Sequence, residues 1–305
     1  MPPLPYHRLA LVTGRRGRWR TVAGTALVLA GVLVAALVVV LVGEVAGAFL
    51  HRPTDDEGLR AWGGIGDTAF ALLSLALVTP AVFLAARWAQ RRPAGTLSSV
   101  TGRLRWRWLG RCLLVALPLV TASLGVMLLL PEPAGGGDDM AWAGLPDFLL
   151  GLATVCLLVP FQASAEEYAF RGWLTQAVGA WCRSPWVAIV PGALLFAAAH
   201  GWGTPWGFAD LVVFGLVAGF LTVRTGGLEA AIGLHVVNNL LAMGLSSAVA
   251  GALASEETAA DMDALSVAVD VAMLCAYAAI VLRLAARHRI AALSAGSRGT
   301  GEELP

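Results

Sequence analysis

The sequence contains no lysine, so all 21 of its basic residues are arginine. Charge of either sign is scarce, because only 13% of the 305 residues are charged and 58% are hydrophobic. Proteins that bind nucleic acid carry a basic face for the phosphates, and a net charge of +1 leaves no excess for such a face. The composition therefore predicts no nucleic-acid partner. The dominance of alanine, glycine, valine and leucine is typical of a GC-rich bacterial genome.

Several catalytic and metal-binding motifs are also missing. The four cysteines form no CxxC pair, so they indicate neither a disulfide framework nor a structural zinc site. The HExxH motif of zinc-dependent hydrolases is absent. The GxSxG motif is absent too, and no serine lies beside His200 or His235, the two histidines of the long apolar segments. A serine nucleophile is therefore not indicated.

Long apolar runs are the main feature that is present. A helix needs about 20 predominantly apolar residues to cross a bilayer, and eight segments approach or exceed that length. The sequence therefore predicts an all-α polytopic membrane protein with about eight transmembrane helices. The predicted spans are 22–42, 67–86, 108–130, 145–165, 186–201, 207–223, 228–249 and 264–283.

The arginines are concentrated in alternate connecting segments. Arginine-rich segments lie on the cytoplasmic side of membrane proteins, which predicts a protein of the cell (plasma) membrane with both termini in the cytoplasm. Residues 1–21 are then a cytoplasmic tail, 22–289 a single membrane-embedded domain and 290–305 a flexible cytoplasmic tail. The arginine-rich segments contain Arg8, Arg15, Arg16, Arg18, Arg20, Arg87, Arg91, Arg92, Arg103, Arg105, Arg107, Arg283, Arg287 and Arg289. The alternate segments contain Asp138, Asp139, Glu256, Glu257, Asp261 and Asp263.

Proline and glycine mark irregular positions in these helices. A straight helix over 145–182 would be about 57 Å long, nearly twice the apolar core of a bilayer. We therefore expect a break, with Pro160 as the first candidate and Gly172 as the second. Gly215 and Gly219 form a GxxxG pair, which favours close helix packing within the bundle over a dimer face.

Two adjacent carboxylates occur within this fourth apolar segment, in the stretch FQASAEEYAFRGWL. Glu167 and Arg171 are four residues apart, the spacing and order of a favourable ion pair on one helix face. Glu166 is turned about 100° away from that pair. Ionisable residues at membrane depth are costly and usually functional, although both acids could instead be solvated at the cytoplasmic interface. The spacing assigns Glu167 to support and leaves Glu166 free to face a cavity.

Two histidines and an asparagine add polar groups on other predicted helices. His200 follows Phe196 by four residues, and His235 precedes Asn239 by four, so each pair shares a helix face. Asn238 is also within reach of the face of His235, and spacing does not choose between the two asparagines. A single histidine on an apolar helix is most often a packing residue. Together with Glu166, however, these groups predict an intramembrane polar cavity between the helices.

Such a set supports two kinds of hydrolysis. Two histidines and a carboxylate can bind zinc with an open position for water. Alternatively, Glu166 can take a proton from a water that His200 positions, while His235 and Asn239 donate hydrogen bonds to the oxyanion. Both reactions cleave an amide bond within the membrane.

These residues form three ordered motifs, EExxxR, FxxxH and HxxxN, over about 160–241. In this order they resemble the CPBP family of intramembrane proteases, also called the CAAX protease and bacteriocin-processing (Abi) family. The stretch FGLVAGFLTVRTGGLEAAIGLHVVNN is similar to that family's approach to its last motif. The resemblance implies an eight-helix bundle with a conical cavity open to the cytosol, and it selects Asn239 over Asn238. Its implied catalytic residues are Glu166, His200, His235 and Asn239, with Glu167 and Arg171 in support.

The resemblance leaves the metal and the substrate open. Family members are commonly labelled metalloproteases, and in that case Glu166, His200 and His235 would bind zinc. We favour a metal-free site, with zinc as the alternative, because the four polar groups already provide a base, a water-orienting group and oxyanion donors. The expected partners are membrane lipid and a protein or peptide substrate, which need not be prenylated in a bacterium. The competing hypothesis is a non-catalytic membrane scaffold or bacteriocin-immunity protein that uses the same cavity for binding.

Overall fold

The computed structural model describes residues 2–13, 17–55, 58–130, 141–255 and 259–295. Within them the regular structure is helical, with four isolated β-bridges and no strand, which confirms the all-α prediction. The α-helices are α1 Arg18–Phe49, α2 Gly64–Ala76, α3 Val78–Leu84, α4 Trp106–Met127, α5 Leu145–Glu167, α6 Thr175–Gly179, α7 Trp186–Ala199, α8 Pro205–Thr225, α9 Glu229–Ser246 and α10 Ala264–Arg287.

Six helical stretches among the described residues are long and apolar enough to cross a membrane, so this is a polytopic membrane protein. They are Trp19–Phe49, Gly64–Ala89, Trp106–Met127, Leu145–Gly179, Pro205–Thr225 and Ala264–Arg287. Each predicted span overlaps a helical stretch, but the count of eight membrane-crossing helices is not confirmed. Helix α7 has only 14 residues, about 21 Å of length. Helix α9 has 18 residues and carries a glutamate, a histidine and two asparagines.

The helix that carries the two carboxylates changes its hydrogen-bonding pattern after them. It remains α-helical through Pro160 to Glu167, becomes π-helical over Tyr168–Leu174 and returns to α geometry in α6. The irregular segment therefore contains Gly172, the second candidate for a break, and the α-helical pattern is uninterrupted at Pro160, the first candidate. Single π turns within helices are frequent at functional sites, and this one contains Arg171.

One face of the bundle, which we call the terminal face, holds the two ends of the described chain. Pro5 forms a bridge with Leu293, and the Tyr6 hydroxyl donates to the carbonyl of Leu97. Tyr6 lies fully buried in a 3₁₀ helix, Tyr6–Leu11, inside the segment predicted as a tail. The boundaries of the predicted tails stay predictions, and residues 296–305 lie outside the described residues.

The other face, which we call the opposite face, is where α8 and α10 begin and where α9 ends. Trp142 forms a bridge with Val249 there, and the amide of Thr204 donates to the carbonyl of Ala260. Of the 21 arginines, only Arg52 and Arg60 occur in the segments that join helices at this face. Four acidic residues that supported the predicted orientation, Asp138, Asp139, Glu256 and Glu257, lie outside the described residues.

The GxxxG pair of α8 packs against α7 within the same chain. A Cβ atom on Gly215 would lie 2.7 Å from the Cα of Ala193, and one on Gly219 would lie 2.9 Å from a methyl carbon of Ile189. These contacts agree with the prediction that the pair serves packing within the bundle.

Replacing Gly215 with valine is expected to push α7 away from α8 and to cost about 1–3 kcal/mol of stability, as overpacking of a tight contact does. Gly125→Val is the matched control, because no heavy atom lies within 4 Å of a Cβ at that position of α4. The unfolding temperatures of the two variants in detergent provide the comparison. Equal temperatures would show that the α7–α8 contact is not tight.

Candidate active site

Three side chains predicted from the sequence converge between α5, α7 and α9. The Oε2 atom of Glu166 lies 3.9 Å from Nε2 of His200 and 3.9 Å from Nε2 of His235. Glu166 is the penultimate residue of α5, His200 directly follows α7, and His235 lies in α9. The fold therefore brings an imidazole nitrogen from each of two other segments close to one carboxylate oxygen.

Glu166 is held by one of its two oxygens. Its Oε1 accepts a 2.5 Å hydrogen bond from the side-chain amide of Gln162, one turn earlier on α5. Its Oε2, which faces the histidines, has no hydrogen-bond partner among the described residues. The side chain is 11% exposed. A carboxylate fixed at one oxygen and without a hydrogen-bond partner at the other suits a general base.

Glu167 forms the predicted ion pair and also contacts a catalytic candidate. Its Oε1 accepts from Arg171 at 2.9 Å and is 2.8 Å from Nδ1 of His235. All three side chains are buried, and that of Glu167 is 0% exposed. The i,i+4 spacing predicted the contact with Arg171, whereas the contact with His235 depends on how α9 packs against α5. Glu167 therefore orients a histidine as well as balancing a buried arginine.

Aromatic rings close the site on the side of the buried arginine. The guanidinium carbon of Arg171 lies 4.1 Å from the ring centre of Phe196 and 5.6 Å from that of Phe214. Phe196 also contacts the rings of His200 and His235, at 4.5 and 5.8 Å between centroids. Cation–π contacts of this kind stabilise a desolvated guanidinium. The FxxxH motif thus provides a phenylalanine that packs between the ion pair and both histidines.

The hydrogen-bond partners of the histidines determine which ring nitrogens carry protons. Nδ1 of His200 lies 2.8 Å from the carbonyl oxygen of Phe196, and a carbonyl only accepts, so this nitrogen is the donor. Nδ1 of His235 faces the carboxylate of Glu167 and donates in the same way. In their neutral forms both rings therefore present an unprotonated Nε2 toward Glu166.

The two asparagines differ in their connection to Glu166. Asn239 donates to the side-chain oxygen of Gln162 at 3.3 Å, and Gln162 in turn donates to Glu166. Asn238 also lines the adjacent cavity. Asn239, which the family resemblance selects, is the asparagine that shares a hydrogen-bond network with the carboxylate.

Gln162 belongs to this site but was missed by sequence reasoning. It is 5% exposed and connects Glu166 of α5 to Asn239 of α9. A signal was present, because Gln162 lies four residues before Glu166 in an otherwise apolar segment and so shares its helix face.

Replacing Gln162 with leucine is expected to lower kcat of peptide cleavage about 100-fold with little change in KM, because a misplaced catalytic group costs rate more than binding. The measurement is steady-state cleavage of a peptide that the wild type hydrolyses. Gln176→Leu is the control, since Gln176 is equally buried but bonds the carbonyl of Thr96 on the terminal face. An equal fall in kcat for both variants would point to general destabilisation.

A cavity of ≈ 410 Å³ extends from the histidines toward the opposite face. His200 and His235 line it, and so do Ala259 and Met262 of the segment before α10. The fold places this cavity toward the opposite face, away from the two ends of the described chain. The arginine pattern predicts cytoplasmic termini, and the family resemblance implies a cavity open to the cytosol. With the cavity placed at the opposite face, these two expectations exclude each other.

The donor set has the chemistry of a zinc site but not its spacing. Ligand atoms about 2.0–2.2 Å from a tetrahedral zinc lie roughly 3.4 Å from one another, whereas Oε2 of Glu166 is 3.9 Å from each Nε2. Across the described residues, His, Cys, Asp and Glu form no group of three or more suited to a metal ion.

Residues 145–241 match the family of type II CAAX prenyl endopeptidase Rce1-like proteins. This match confirms, for that segment, the family indicated by the three motifs, and the segment contains every predicted site residue. At the level of the family it supports a membrane hydrolase of the endopeptidase class.

Two curated relatives resemble the chain. It is 30% identical over 169 residues to the uncharacterized protein YyaK of Bacillus subtilis (strain 168), covering 53% of this chain and 55% of that protein. It is 31% identical over 115 residues to an uncharacterized 24.3 kDa protein of Escherichia coli, covering 37% of this chain and 52% of that protein. The chain thus matches about half the length of these relatives. No solved structure matches it significantly.

Proposed function

We propose that this protein is an intramembrane endopeptidase in which Glu166 activates a water molecule for attack on a peptide bond. The observation that carries the proposal is the position of Glu166 Oε2, 3.9 Å from Nε2 of both His200 and His235. Each distance is too long for a direct hydrogen bond. A water oxygen placed between Oε2 and either Nε2 can bridge that pair.

In the proposed reaction, Glu166 first takes a proton from water and later gives it to the leaving nitrogen. Water donates hydrogen bonds to Glu166 and to the unprotonated Nε2 of His200, and its oxygen attacks the carbonyl carbon as Glu166 takes the proton. The new C–O bond leaves a negative oxygen, to which the second amide hydrogen of Asn239 donates. His235 would donate there from a protonated Nε2 while its Nδ1 keeps the bond to Glu167. Glu166 then returns the proton to the leaving nitrogen as the C–N bond breaks.

The arginine distribution supports an orientation in the plasma membrane with both termini in the cytoplasm. Only Arg52 and Arg60 occur in the segments that join helices at the opposite face. The cavity would then be reached from the extracytoplasmic side. Substrates on that side are membrane-associated proteins or peptides, which agrees with a bacterial protease that does not require prenylated cytoplasmic proteins.

The test is comparative proteomics of membranes from cells that contain either the wild type or Glu166→Ala. A protease predicts at least one membrane-associated polypeptide that is shortened only in the wild type, with the new terminus in an extracytoplasmic segment. Purified wild type should cleave the same polypeptide in the presence of a chelator, as a metal-free site requires. Identical proteomes, with any cellular phenotype retained by the variant, would instead support a non-catalytic scaffold or immunity protein.

A further inference from the structure

Two carboxyl groups outside the catalytic cluster share its cavity. Asp210 lies in the first third of α8 and Asp270 in the first third of α10, and both line the same cavity as His200 and His235. The two acids interact directly with each other. Neither is part of the three motifs, because they lie on helices that carry no catalytic candidate.

Asp210 is buried with one of its side-chain oxygens unpaired. The residue is only 4% exposed, lines the cavity, and its Oδ1 atom has no hydrogen-bond partner among the described residues. Burying a polar oxygen without a partner is costly. A buried acceptor on a residue that lines a substrate cavity is suited to a donor that arrives with the substrate.

The ionisable groups on the described wall of this cavity are two carboxyl groups and two histidines. No arginine lines it, and the nearby Arg171 is paired with Glu167 and covered by Phe196. The only cationic groups that can form on its wall are the two histidines. A low-dielectric cleft lined by carboxyl groups concentrates positive charge.

We propose that Asp210 and Asp270 form a subsite that binds an arginine or lysine side chain of the peptide substrate close to the scissile bond. This inference rests on the proposed function and extends it to the class of substrate. A guanidinium group carries several donors in a fixed arrangement. It therefore fits two neighbouring carboxyl groups better than an ammonium group, which acts as a single point charge. The residues described here offer no group of three metal-ligating side chains, so a side-chain cation fits the pair better than a metal ion.

The position of the cavity agrees with such a substrate. It extends to the opposite face, whose connecting segments contain few arginines and whose described part includes the exposed Asp261 and Asp263. A basic peptide that approaches this face meets acidic groups before it reaches the cavity. The same peptide would be repelled by the arginine-rich terminal face.

The experiment measures binding by the Glu166→Gln protein in lipid nanodiscs, which avoids turnover. The probes are two capped tripeptides, acetyl-Leu-Arg-Leu-amide and its citrulline counterpart, which has the same shape without the charge. Arginine is expected to bind about tenfold more tightly or better, since desolvated charge pairs contribute at that level. The preference should disappear when Asp210→Asn and Asp270→Asn are added. It should persist with Asp67→Asn, which removes an exposed acid near the same face but outside the cavity.

Each outcome decides the proposal. Equal affinities for the two peptides, no binding of either at millimolar concentration, or an unchanged preference in the double variant would overturn it. If the double variant does not fold, the single Asp270→Asn variant and a salt titration replace it, and the preference must then weaken with each. Hydrolysis by the wild type is scored separately. Cleavage without an arginine preference would refute the subsite alone, whereas selective binding without any cleavage would refute the proposed function.

Discussion

Glu166→Gln is expected to lower the rate of peptide cleavage about 1,000-fold while the protein stays folded. Glutamine has the size of glutamate, and its side-chain oxygen can still accept the hydrogen bond that Gln162 donates to Glu166. It cannot take a proton from water between the two histidines. The measurement is cleavage of a reporter peptide by purified protein in nanodiscs, with the unfolding temperature as the check on the fold.

Glu44→Gln is the matched control for this result. Glu44 lies on α1, where its Oε1 accepts from the amide of Arg60 at 2.6 Å, and it does not line the cavity. The control should cleave at the wild-type rate. A Glu166→Gln protein that remains within a few-fold of the wild type would rule out Glu166 as the base.

Glu167→Gln is expected to produce the largest loss of stability, about 3–5 kcal/mol, because it leaves a buried guanidinium without its counter-charge. Arg171 is 2% exposed, and Glu167 is its ion-pair partner. The same substitution weakens the acceptor that holds Nδ1 of His235, so the activity should fall as well. The free energy of unfolding in detergent is the quantity to measure.

The double variant Glu167→Gln with Arg171→Met separates the two effects. Removal of both charges should restore most of the lost stability, since an apolar replacement of a buried pair is often neutral. Activity should stay low, because His235 still faces an uncharged group in place of a carboxylate. A single variant as stable as the wild type would show that water or lipid headgroups already solvate Arg171.

Local spacing was sufficient for the contacts within one helix. The four-residue interval between Glu167 and Arg171 predicted their ion pair, and every predicted apolar span lies on a helix. Spacing was less informative where helix geometry depends on neighbours. Helix α5 stays α-helical at Pro160, and the chain becomes π-helical over Tyr168–Leu174. The short α7 and the polar α9 leave the count of eight spans unconfirmed.

The periodicity of the sequence did not predict the contacts between helices. The bond of Glu167 to His235 and the link from Gln162 to Asn239 both join α5 to α9. Sequence periodicity shows which face of a helix a residue occupies, but not which other helix that face meets. Asp210 and Asp270 were missed for the same reason, because each is a single acid in its own helix until α8 packs beside α10.

The sequence by itself determined that this is an all-α membrane protein, which polar residues lie within its apolar segments, and which family the stretch over about 160–241 resembles. Those properties follow from composition, helical periodicity and motif order, which are local. Only the tertiary structure decided that Glu166 lies close to both histidines and that the cavity extends toward the opposite face. Both depend on how helices far apart in the sequence pack together, and the packing is set by the sum of many weak contacts across the bundle.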